Sequence, residues 1–311
     1  MTHRRRWAVT GAAGMLGQSL VEALSGRTDV LLTALDRAAL DITDPAAARE
    51  ALRGHDVVVN AAAYTDVDGA EAHEEQATAV NGHAVGVLAA AAGDAVLLQV
   101  STDYVFDGRA REPYPEDAAT APVNAYGRGK LAGERLVPAH GYAVRTAWLY
   151  ADHGRNFVRT MLTLAADRPH VSVVTDQLGQ PTSTTALARQ LVLLGMAALD
   201  GTAPPGVYHA TAAGSASWND LAAEAYAAIG LDPDRVRPAR AADFPRPAVR
   251  PAYSVLGHDR WHLAGLAPPP SWREQLHEEL ARPGFAEVIA AAGGRPPRPR
   301  NTGGARSAPR I

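Results

Sequence analysis

The chain has 311 residues, of which 47% are hydrophobic, so it can bury a sizeable core. Its formal net charge of −3 argues against nucleic acid as a partner. The absence of cysteine excludes disulfides, thiol nucleophiles and Cys-based zinc sites, and it fits a cytoplasmic protein. The basic start passes at once into a glycine-rich turn, and no apolar run of about 18 residues follows. We therefore expect neither a signal peptide nor a membrane span.

Apolar, strand-like runs alternate with helical segments through the first half of the chain. Strands are predicted at residues 7–10, 30–35, 57–61, 95–101 and 142–146, and helices at 15–24, 45–52, 77–92 and 125–136. Strands that alternate with helices through short connections are typical of βαβ units, whose crossovers are right-handed. The sequence therefore predicts an α/β fold with a doubly wound parallel Rossmann sheet.

The second half of the chain is less regular and richer in proline, which predicts a smaller α/β lobe beside the sheet. We assign the NAD(P)-binding sheet domain to residues 1–147 with part of 177–212. The smaller, substrate-binding lobe is assigned to residues 148–176 and 213–285, so the chain should cross between the two more than once. Residues 293–311 are rich in glycine, proline and arginine and contain no acidic residue, so we expect a disordered tail.

A glycine-rich turn follows the first strand and opens the first helix. Gly11 permits a tight turn, Gly14 lets the backbone approach a pyrophosphate, and Gly17 lets helix and strand pack closely. Met15 and Leu16 begin the helix, whose N-terminal N–H groups and positive dipole end would face the phosphates. At this position the triplet predicts a dinucleotide-binding site rather than an ordinary glycine turn.

The second and third strands end in residues suited to the adenosine half of such a cofactor. Asp36 can accept hydrogen bonds from the ribose hydroxyls, which favours NADH, whereas Arg37 can hold the 2′-phosphate of NADPH. The choice between NADH and NADPH stays open. Asp41 and Ile42 form a segment suited to contact the adenine, with a solvated loop aspartate as the alternative. The third strand ends in small residues that leave room for the cofactor, namely Ala61, Ala62 and Ala63.

Tyr126 and Lys130 stand four residues apart at the start of a predicted helix and so share one helix face. A phenol has a pKa of about 10, and a neighbouring ammonium favours the phenolate and lowers that pKa. Tyr126 could then donate a proton to a carbonyl oxygen while hydride arrives from the cofactor, and Lys130 could bind the nicotinamide ribose. Thr102, at the end of the fourth strand, can hydrogen-bond the same oxygen, because ligands of doubly wound sheets bind at the carboxyl ends of the strands.

Five segments carry a more specific pattern. They are VNAAAYTDVDGAE at residues 59–71, STDYVFDG at 101–108, NAYGRGKLAGE at 124–134, RTAWLY at 145–150 with NFV at 156–158, and DQLGQPT at 176–182. In this order they resemble the dTDP-4-dehydrorhamnose reductase family of the extended short-chain dehydrogenase/reductase superfamily, over residues 7–280. The resemblance implies that NADPH or NADH reduces the 4-keto group of a dTDP-linked 4-keto-6-deoxysugar, converting dTDP-4-dehydro-L-rhamnose to dTDP-L-rhamnose.

The resemblance also implies roles for single residues. Thr102, Tyr126 and Lys130 match the family's catalytic triad. Arg250 precedes a proline as in the family and could hold the diphosphate in a bidentate pair, with an ordinary surface arginine as the alternative. Trp148 suits the apolar face of a deoxysugar, with a core aromatic as the alternative. The sugar site is expected to be lined by Thr65, which also borders the cofactor, and by Val67, Thr102, Asp103, Tyr104, Tyr126 and Trp148.

One departure from the family and two alternatives follow from the same residues. Some members hold a metal between subunits with glutamates at positions that match Ser19 and Thr185, so no metal site is predicted here, and a homodimer stays open. A related enzyme could reduce another nucleotide-linked ketosugar of an antibiotic pathway, such as a dihydrostreptose-type product. A non-catalytic NADP-binding regulatory subunit is the alternative outside enzymes, but the joint presence of Thr102, Tyr126 and Lys130 favours chemistry.

Overall fold

A computed structural model describes residues 4–297 of the chain. The strands are β1 (Arg5–Thr10), β2 (Val30–Leu35), β3 (Val57–Asn60), β4 (Val96–Thr102), β5 (Tyr142–Thr146), β6 (Leu149–Tyr150), β7 (Val171–Val174), β8 (Leu178–Gly179), β9 (Thr182–Ser183), β10 (Gly206–His209), β11 (Ala216–Ser217) and β12 (Val236–Ala239). The α-helices are α1 (Met15–Ser25), α2 (Pro45–Leu52), α3 (Val67–Ala72), α4 (Glu74–Thr78), α5 (Ala84–Ala92), α6 (Ala125–Glu134), α7 (Phe157–Asp167), α8 (Thr184–Leu199), α9 (Trp218–Ala228), α10 (Asp259–Leu263), α11 (Trp272–Leu280) and α12 (Ala286–Ala291).

The central sheet has six parallel strands in the order β2-β1-β3-β4-β5-β10. The chain leaves β1 toward β2 on one side and returns to β3 on the other. A crevice therefore opens between β1 and β3 at the carboxyl ends of the strands, where ligands of such sheets bind. The predicted doubly wound parallel Rossmann sheet is confirmed.

Alternate strand residues build two apolar layers, one on each face of the sheet. Trp7 and Val9 of β1 share a core with residues of α1 and α8. Ala8, between them, belongs to the opposite core with residues of α2 and α5. Burial on both faces accounts for the near-continuous apolar runs from which these strands are predicted.

The second lobe has its own core, in which α7, α9, α11 and α12 pack around the pair β7 and β12. Tyr226, Trp272 and Phe285 are among its fully buried side chains. Helix α8 returns to the sheet domain between two segments of this lobe. Trp261 also packs in the core of the sheet domain, although residues 213–285 were assigned to the second lobe. Its indole N–H donates to the His209 carbonyl at 2.7 Å.

The helix expected at residues 77–92 begins earlier and is irregular. It starts at Glu74 as α4, continues through a π-helical turn at Ala79–His83, and ends as α5. Inside that turn, the buried Asn81 amide accepts from the Tyr64 N–H and donates to the Tyr64 carbonyl, both at 2.9 Å. A tertiary contact thus accompanies the π turn, which a local helical pattern does not reveal.

The structure also contains elements absent from the sequence-based expectation. Strand β10 is short and follows Pro204 and Pro205, so its sequence carries little strand signal. Of the predicted disordered tail, residues 293–311, the part from 298 onward lies outside the described residues. Within its described part, the Arg295 N–H donates to the Ile229 carbonyl at 2.8 Å. Within residues 4–297, no helix has the length and apolar character needed to cross a membrane.

Candidate active site

Two adjoining cavities open at the carboxyl end of the sheet. The first, of about 740 Å³, runs from the glycine turn past the ends of β3, β4 and β5. The second, of about 770 Å³, lies over the second lobe beside α7 and β7. Val67, Tyr104, Arg155 and Trp218 line both cavities. One elongated ligand, or two ligands that meet at this boundary, can therefore fill them together.

The glycine turn at the mouth of the first cavity depends on the absence of side chains. Gly11 has a φ of +67°, and a Cβ on it would lie 2.6 Å from the Ala62 backbone nitrogen. A Cβ on Gly17 would lie 2.1 Å from the Gly11 carbonyl oxygen. Backbone therefore touches backbone at both positions, which brings the start of α1 and the end of β3 close to the cavity.

The same turn fits the phosphates of a dinucleotide. Gly14 is the N-cap of α1, and in this described segment no side chain caps the helix and no acidic residue stands in its first turn. The first N–H groups of an eleven-residue helix are thus left to face the cavity with the positive end of the helix dipole. Together with the glycine cradle, this donor set fits a pyrophosphate.

The residues expected at the adenosine end take different positions. Asp36 folds back, because one carboxylate oxygen accepts from the N–H groups of Ala38 at 3.0 Å and Ala39 at 2.9 Å. Asp41 accepts from the Thr43 hydroxyl at 2.7 Å, and this bond is the largest cause of its lowered pKa. Both aspartates therefore also stabilise turns of their own.

Thr102, Tyr126 and Lys130 come together on the inner wall of the first cavity. Thr102 ends β4, where its hydroxyl accepts from the Tyr104 N–H at 3.2 Å. Tyr126 and Lys130 lie in the first two turns of α6, and the Lys130 ammonium donates to the Val100 carbonyl at 2.6 Å. A carbonyl placed beside Tyr126 and Thr102 would meet two hydroxyl groups, of which the Thr102 hydroxyl also donates to Asp103 Oδ1 at 3.0 Å.

Burial governs the protonation of this group. It raises the pKa of Tyr126 to about 12; the charge of Asp103 adds to this increase, whereas a hydrogen bond with Thr102 opposes it. Burial also lowers the pKa of Lys130 to about 8, against the charge of Glu134. The pKa of Tyr126 is therefore raised by burial, and the lowering expected from the neighbouring lysine is not found. Tyr126 therefore holds its proton at neutral pH, as a proton donor must.

Asp103 and Tyr104 continue the wall from β4 toward the second cavity. Burial raises the pKa of Asp103 to about 7, although hydrogen bonds with Ser254 and Thr102 oppose it. Burial likewise raises the pKa of Tyr104, so its phenol stays protonated. The Tyr104 ring meets the Tyr126 ring edge to face, with centroids 5.9 Å apart. These contacts fix the tyrosine through which the first cavity borders the second.

Trp148 forms the far wall of the first cavity and is held in an unusual conformation. Its φ of +47° is the one positive value among described residues other than glycine. Its indole stacks on Trp218 with centroids 3.6 Å apart and planes 4° from parallel. A Cβ on Gly179 would lie 2.5 Å from Trp148 Cε2, so this glycine makes room for the indole. Such strain persists at sites where the surrounding structure imposes it.

Arginines give the second cavity a positive lining. Arg155, Arg246 and Arg250 all line it, beside the aromatic faces of Phe157 and Trp218. The Arg250 side chain is only 15% exposed. A cavity that combines guanidinium groups with stacking surfaces suits a ligand that carries phosphates and a planar base.

Two residues behind Thr102, Tyr126 and Lys130 were not predicted from the sequence. Glu134 and Arg145 form a buried ion pair at 2.8 Å, with side chains 6% and 4% exposed. Glu134 lies one turn after Lys130 on α6, and it accepts from the Ser101 hydroxyl beside Thr102. The pair thus ties α6 to β4 and β5. The signal available in the sequence was the opposite charge of two residues inside the family's own motifs.

Most residues predicted for the site line these cavities. Of the predicted residues, all of them described, Gly17 and Asp36 line neither cavity. Arg250 lines the second cavity. The first cavity is lined by Gly11, Gly14, Met15, Leu16, Arg37, Asp41, Ile42, Ala61, Ala62, Ala63, Thr65, Val67, Thr102, Asp103, Tyr104, Tyr126, Lys130 and Trp148.

The position where some family members place a metal-binding glutamate is occupied by an internal contact. The Ser19 hydroxyl lies 2.7 Å from the Thr184 hydroxyl, buried between α1 and α8. Across residues 4–297, no cluster of three or more His, Asp or Glu side chains could hold a metal ion.

The sheet, the glycine turn and the Thr–Tyr–Lys group together define the class of the protein, an extended short-chain dehydrogenase/reductase. The family model described as the RmlD substrate binding domain matches residues 5–283. A dTDP-4-dehydrorhamnose reductase of Streptomyces griseus is 52% identical over 305 residues, which cover 96% of this chain and 98% of the relative. A dTDP-4-keto-6-deoxy-D-glucose reductase of Streptomyces niveus is 48% identical, covering 87% of this chain and 95% of the relative.

A solved structure leads to the same family. The dTDP-4-dehydrorhamnose reductase of Bacillus anthracis, in complex with NADP, is 35% identical and aligns with a TM-score of 0.84, covering 89% of this chain and 98% of that one. The chain belongs to the dTDP-4-dehydrorhamnose reductase family. The family predicted from the five sequence segments is therefore confirmed, and with it an NAD(P)H-dependent reductase.

Proposed function

We propose that the protein reduces the 4-keto group of dTDP-4-dehydro-L-rhamnose with NADPH or NADH and so forms dTDP-L-rhamnose. The observation that carries the proposal is the meeting of Thr102, Tyr126 and Lys130 with the glycine turn and Trp148 in one cavity. A dinucleotide bound along the glycine turn supplies the hydride, and the cavity leaves space for a sugar between Tyr126 and Trp148.

The proton in this reaction comes from Tyr126. As the carbonyl carbon accepts hydride, its oxygen gains negative charge and takes the proton of the Tyr126 phenol, to which it is hydrogen-bonded. Thr102 holds the same oxygen. A phenol with a pKa of about 12 is a weak acid, so the positive charge of Lys130 has to stabilise the tyrosinate as it forms. A tyrosinate and an alcohol are the products, and Tyr126 regains its proton from solvent.

The remote part of the substrate is proposed to occupy the second cavity. Arg155, Arg246 and Arg250 would face the diphosphate, and the aromatic surfaces of Phe157 and Trp218 lie where a thymine could stack. A sugar at Tyr126 would then lie at the boundary between the cavities, which Tyr104 lines from both sides.

The test is the epimerase-dependent oxidation of NADPH or NADH by the purified protein. The substrate is generated in the assay from dTDP-4-keto-6-deoxy-D-glucose by a 3,5-epimerase. We expect nicotinamide absorbance to fall only when the epimerase is present and dTDP-L-rhamnose to accumulate. Tyr126→Phe should lower kcat by roughly 10²–10⁴-fold while NADPH binding is kept. Full activity of this variant would refute Tyr126 as the proton donor.

One alternative substrate has support of its own. The Streptomyces niveus relative is a dTDP-4-keto-6-deoxy-D-glucose reductase, and its 48% identity is close to that of the rhamnose-pathway relative. If this ketosugar is the substrate, NADPH oxidation will begin before the epimerase is added. The same assay therefore separates the two candidates.

A further inference from the structure

A loop of the second lobe, residues 244–250, is fastened to the sheet domain at two points. We call it the arginine loop, because it carries Arg246 and Arg250 into the lining of the second cavity. One point of attachment is Asp68 on α3, and the other is Asn124 at the start of α6. Neither residue was assigned a role from the sequence.

Asp68 holds the loop through both of its carboxylate oxygens. Oδ1 lies 3.0 Å from Arg250 Nη1 and accepts from the Ala248 N–H at 3.2 Å. Oδ2 lies 3.5 Å from Arg246 Nη1. Burial raises the pKa of Asp68, but the hydrogen bonds from Arg250 and Ala248 and the charges of Arg250 and Arg246 together lower it by more. The pKa therefore lies below its usual value, and the carboxylate stays ionised. The anion therefore orients both cavity arginines from behind.

Asn124 connects the loop to the catalytic helix. Its Oδ1 accepts from the Gly127 N–H at 2.8 Å and so caps the N-terminus of α6, two residues before Tyr126. Its Nδ2 donates to the Val249 carbonyl at 2.9 Å. The side chain is buried, with 1% exposure, so neither bond is exchanged easily for water. One amide thus bonds the arginine loop with one end and the first turn of α6 with the other.

We propose that Asn124 and Asp68 are positioning residues that clamp the arginine loop to the first turn of α6, so that docking of the substrate's diphosphate on Arg246 and Arg250 sets the position of Tyr126. This inference rests on the proposed function, because it takes the ligand of the second cavity to be a diphosphate. Binding energy from the remote part of the substrate is then used to orient the reacting end, which raises kcat as well as affinity.

The packing beside Asn124 explains why a small loop movement would matter. A Cβ on Gly127 would lie 2.2 Å from the Tyr104 carbonyl oxygen, so α6 begins in tight contact with the backbone after β4. Tyr104 in turn contacts Tyr126 edge to face. The first turn of α6 is thus held between the loop on one side and the catalytic wall on the other.

Asn124→Asp separates the two bonds of Asn124. Aspartate caps helices as well as asparagine does, so the bond to the Gly127 N–H is kept, whereas the donor to the Val249 carbonyl is lost. Asp68→Asn removes the charge that orients Arg246 and Arg250. The matched control is Asp66→Asn, which removes a charge two residues away, keeps the α3 cap on Gly69 and touches no part of the loop.

The first measurement is amide hydrogen exchange of residues 244–250 in the ligand-free proteins. We expect faster exchange in Asn124→Asp and Asp68→Asn and unchanged exchange in Asp66→Asn. This readout needs no substrate. Unchanged exchange in both clamp variants would overturn the clamp whatever their activity. Asp68, which is 28% exposed, carries the test alone if Asn124→Asp fails to fold.

The second measurement is steady-state kinetics with the ketosugar nucleotide. Asp68→Asn should raise KM for this substrate roughly 10-fold or more, as expected for loss of a charge-assisted bond, with KM for NADPH unchanged. Asn124→Asp should raise the same KM and also lower kcat. If residues 244–250 exchange faster in the variants but the kinetic constants equal those of wild type, the coupling to Tyr126 is overturned. A wild-type protein that reduces neither ketosugar would instead overturn the proposed function, and the coupling with it.

Discussion

Asp103→Asn tests whether burial controls the charges of the site. The Asp103 carboxyl is 2% exposed, and burial raises its pKa from 3.8 to about 7. Because the folded-state pKa lies above the unfolded value, the contribution of Asp103 to stability is complete below about pH 4. It is lost progressively as the pH rises from about 4 to about 7. The difference of about three pKa units means that the free energy of unfolding is lower by about 4 kcal/mol at pH 8 than it is below about pH 4. Somewhat under half of this loss has occurred at pH 5.

Asparagine keeps the shape and carries no charge, so it avoids this loss. We compare the free energy of unfolding of Asp103→Asn with that of wild type. We expect the difference to shift in favour of the variant by about 2–3 kcal/mol from about pH 5 to pH 8. Urea unfolding at both pH values measures this difference. Asp107→Asn is the control, since hydrogen bonds from the Arg109 N–H and Tyr114 lower the pKa of Asp107, which stays ionised across this range. An Asp103→Asn difference that is the same at both pH values would refute the reasoning.

Three further predictions concern the first cavity. With a pKa of about 8, Lys130 loses its proton as pH rises through that value, so kcat/KM should fall above it, and in Lys130→Arg this decline should move to much higher pH. Gly179→Ala should displace the Trp148 indole, because the new Cβ would lie 2.5 Å from it, and raise KM for the sugar nucleotide roughly 10-fold or more with NADPH binding unchanged. Asp36→Ala should lower kcat/KM for NADH relative to kcat/KM for NADPH, if the Asp36 carboxylate accepts from the ribose hydroxyls. Asp36→Asn, which still accepts from the Ala38 and Ala39 N–H groups, separates the ribose contact from the loss of the turn.

The parts of the fold that were predictable from the sequence are those with a local cause. Strand β2 and helix α2 have the predicted bounds. The Asp44 side chain caps α2 and Pro45 stands at its first position, which are signals readable from adjacent residues. Strand β10 has no such signal, because its place at the sheet edge is fixed by pairing with β5 some 60 residues earlier, as in the Tyr208 and Val144 pair.

The site divides in the same way. Motifs placed Thr102, Tyr126 and Lys130 in one cavity because the carboxyl ends of parallel strands meet at one edge of the sheet. The contacts of the arginine loop could not be predicted in this way. Asn124 meets the Val249 carbonyl across a separation of 125 residues, and no spacing rule connects a helix cap to a loop of another lobe.

The pKa of Tyr126 shows why spacing alone gives an incomplete account of this chemistry. The spacing of four residues on one helix predicted that Lys130 lies beside the Tyr126 phenol and lowers its pKa. In the folded chain the Lys130 ammonium turns to the Val100 carbonyl, and burial raises the Tyr126 pKa to about 12. The proposed reaction benefits from this arrangement, because in it Tyr126 has to be protonated when the substrate binds and its anion has to be stabilised only as the proton leaves. The local sequence pattern thus identified Tyr126 and Lys130. Their protonation states, however, depend on how deeply the whole fold buries them.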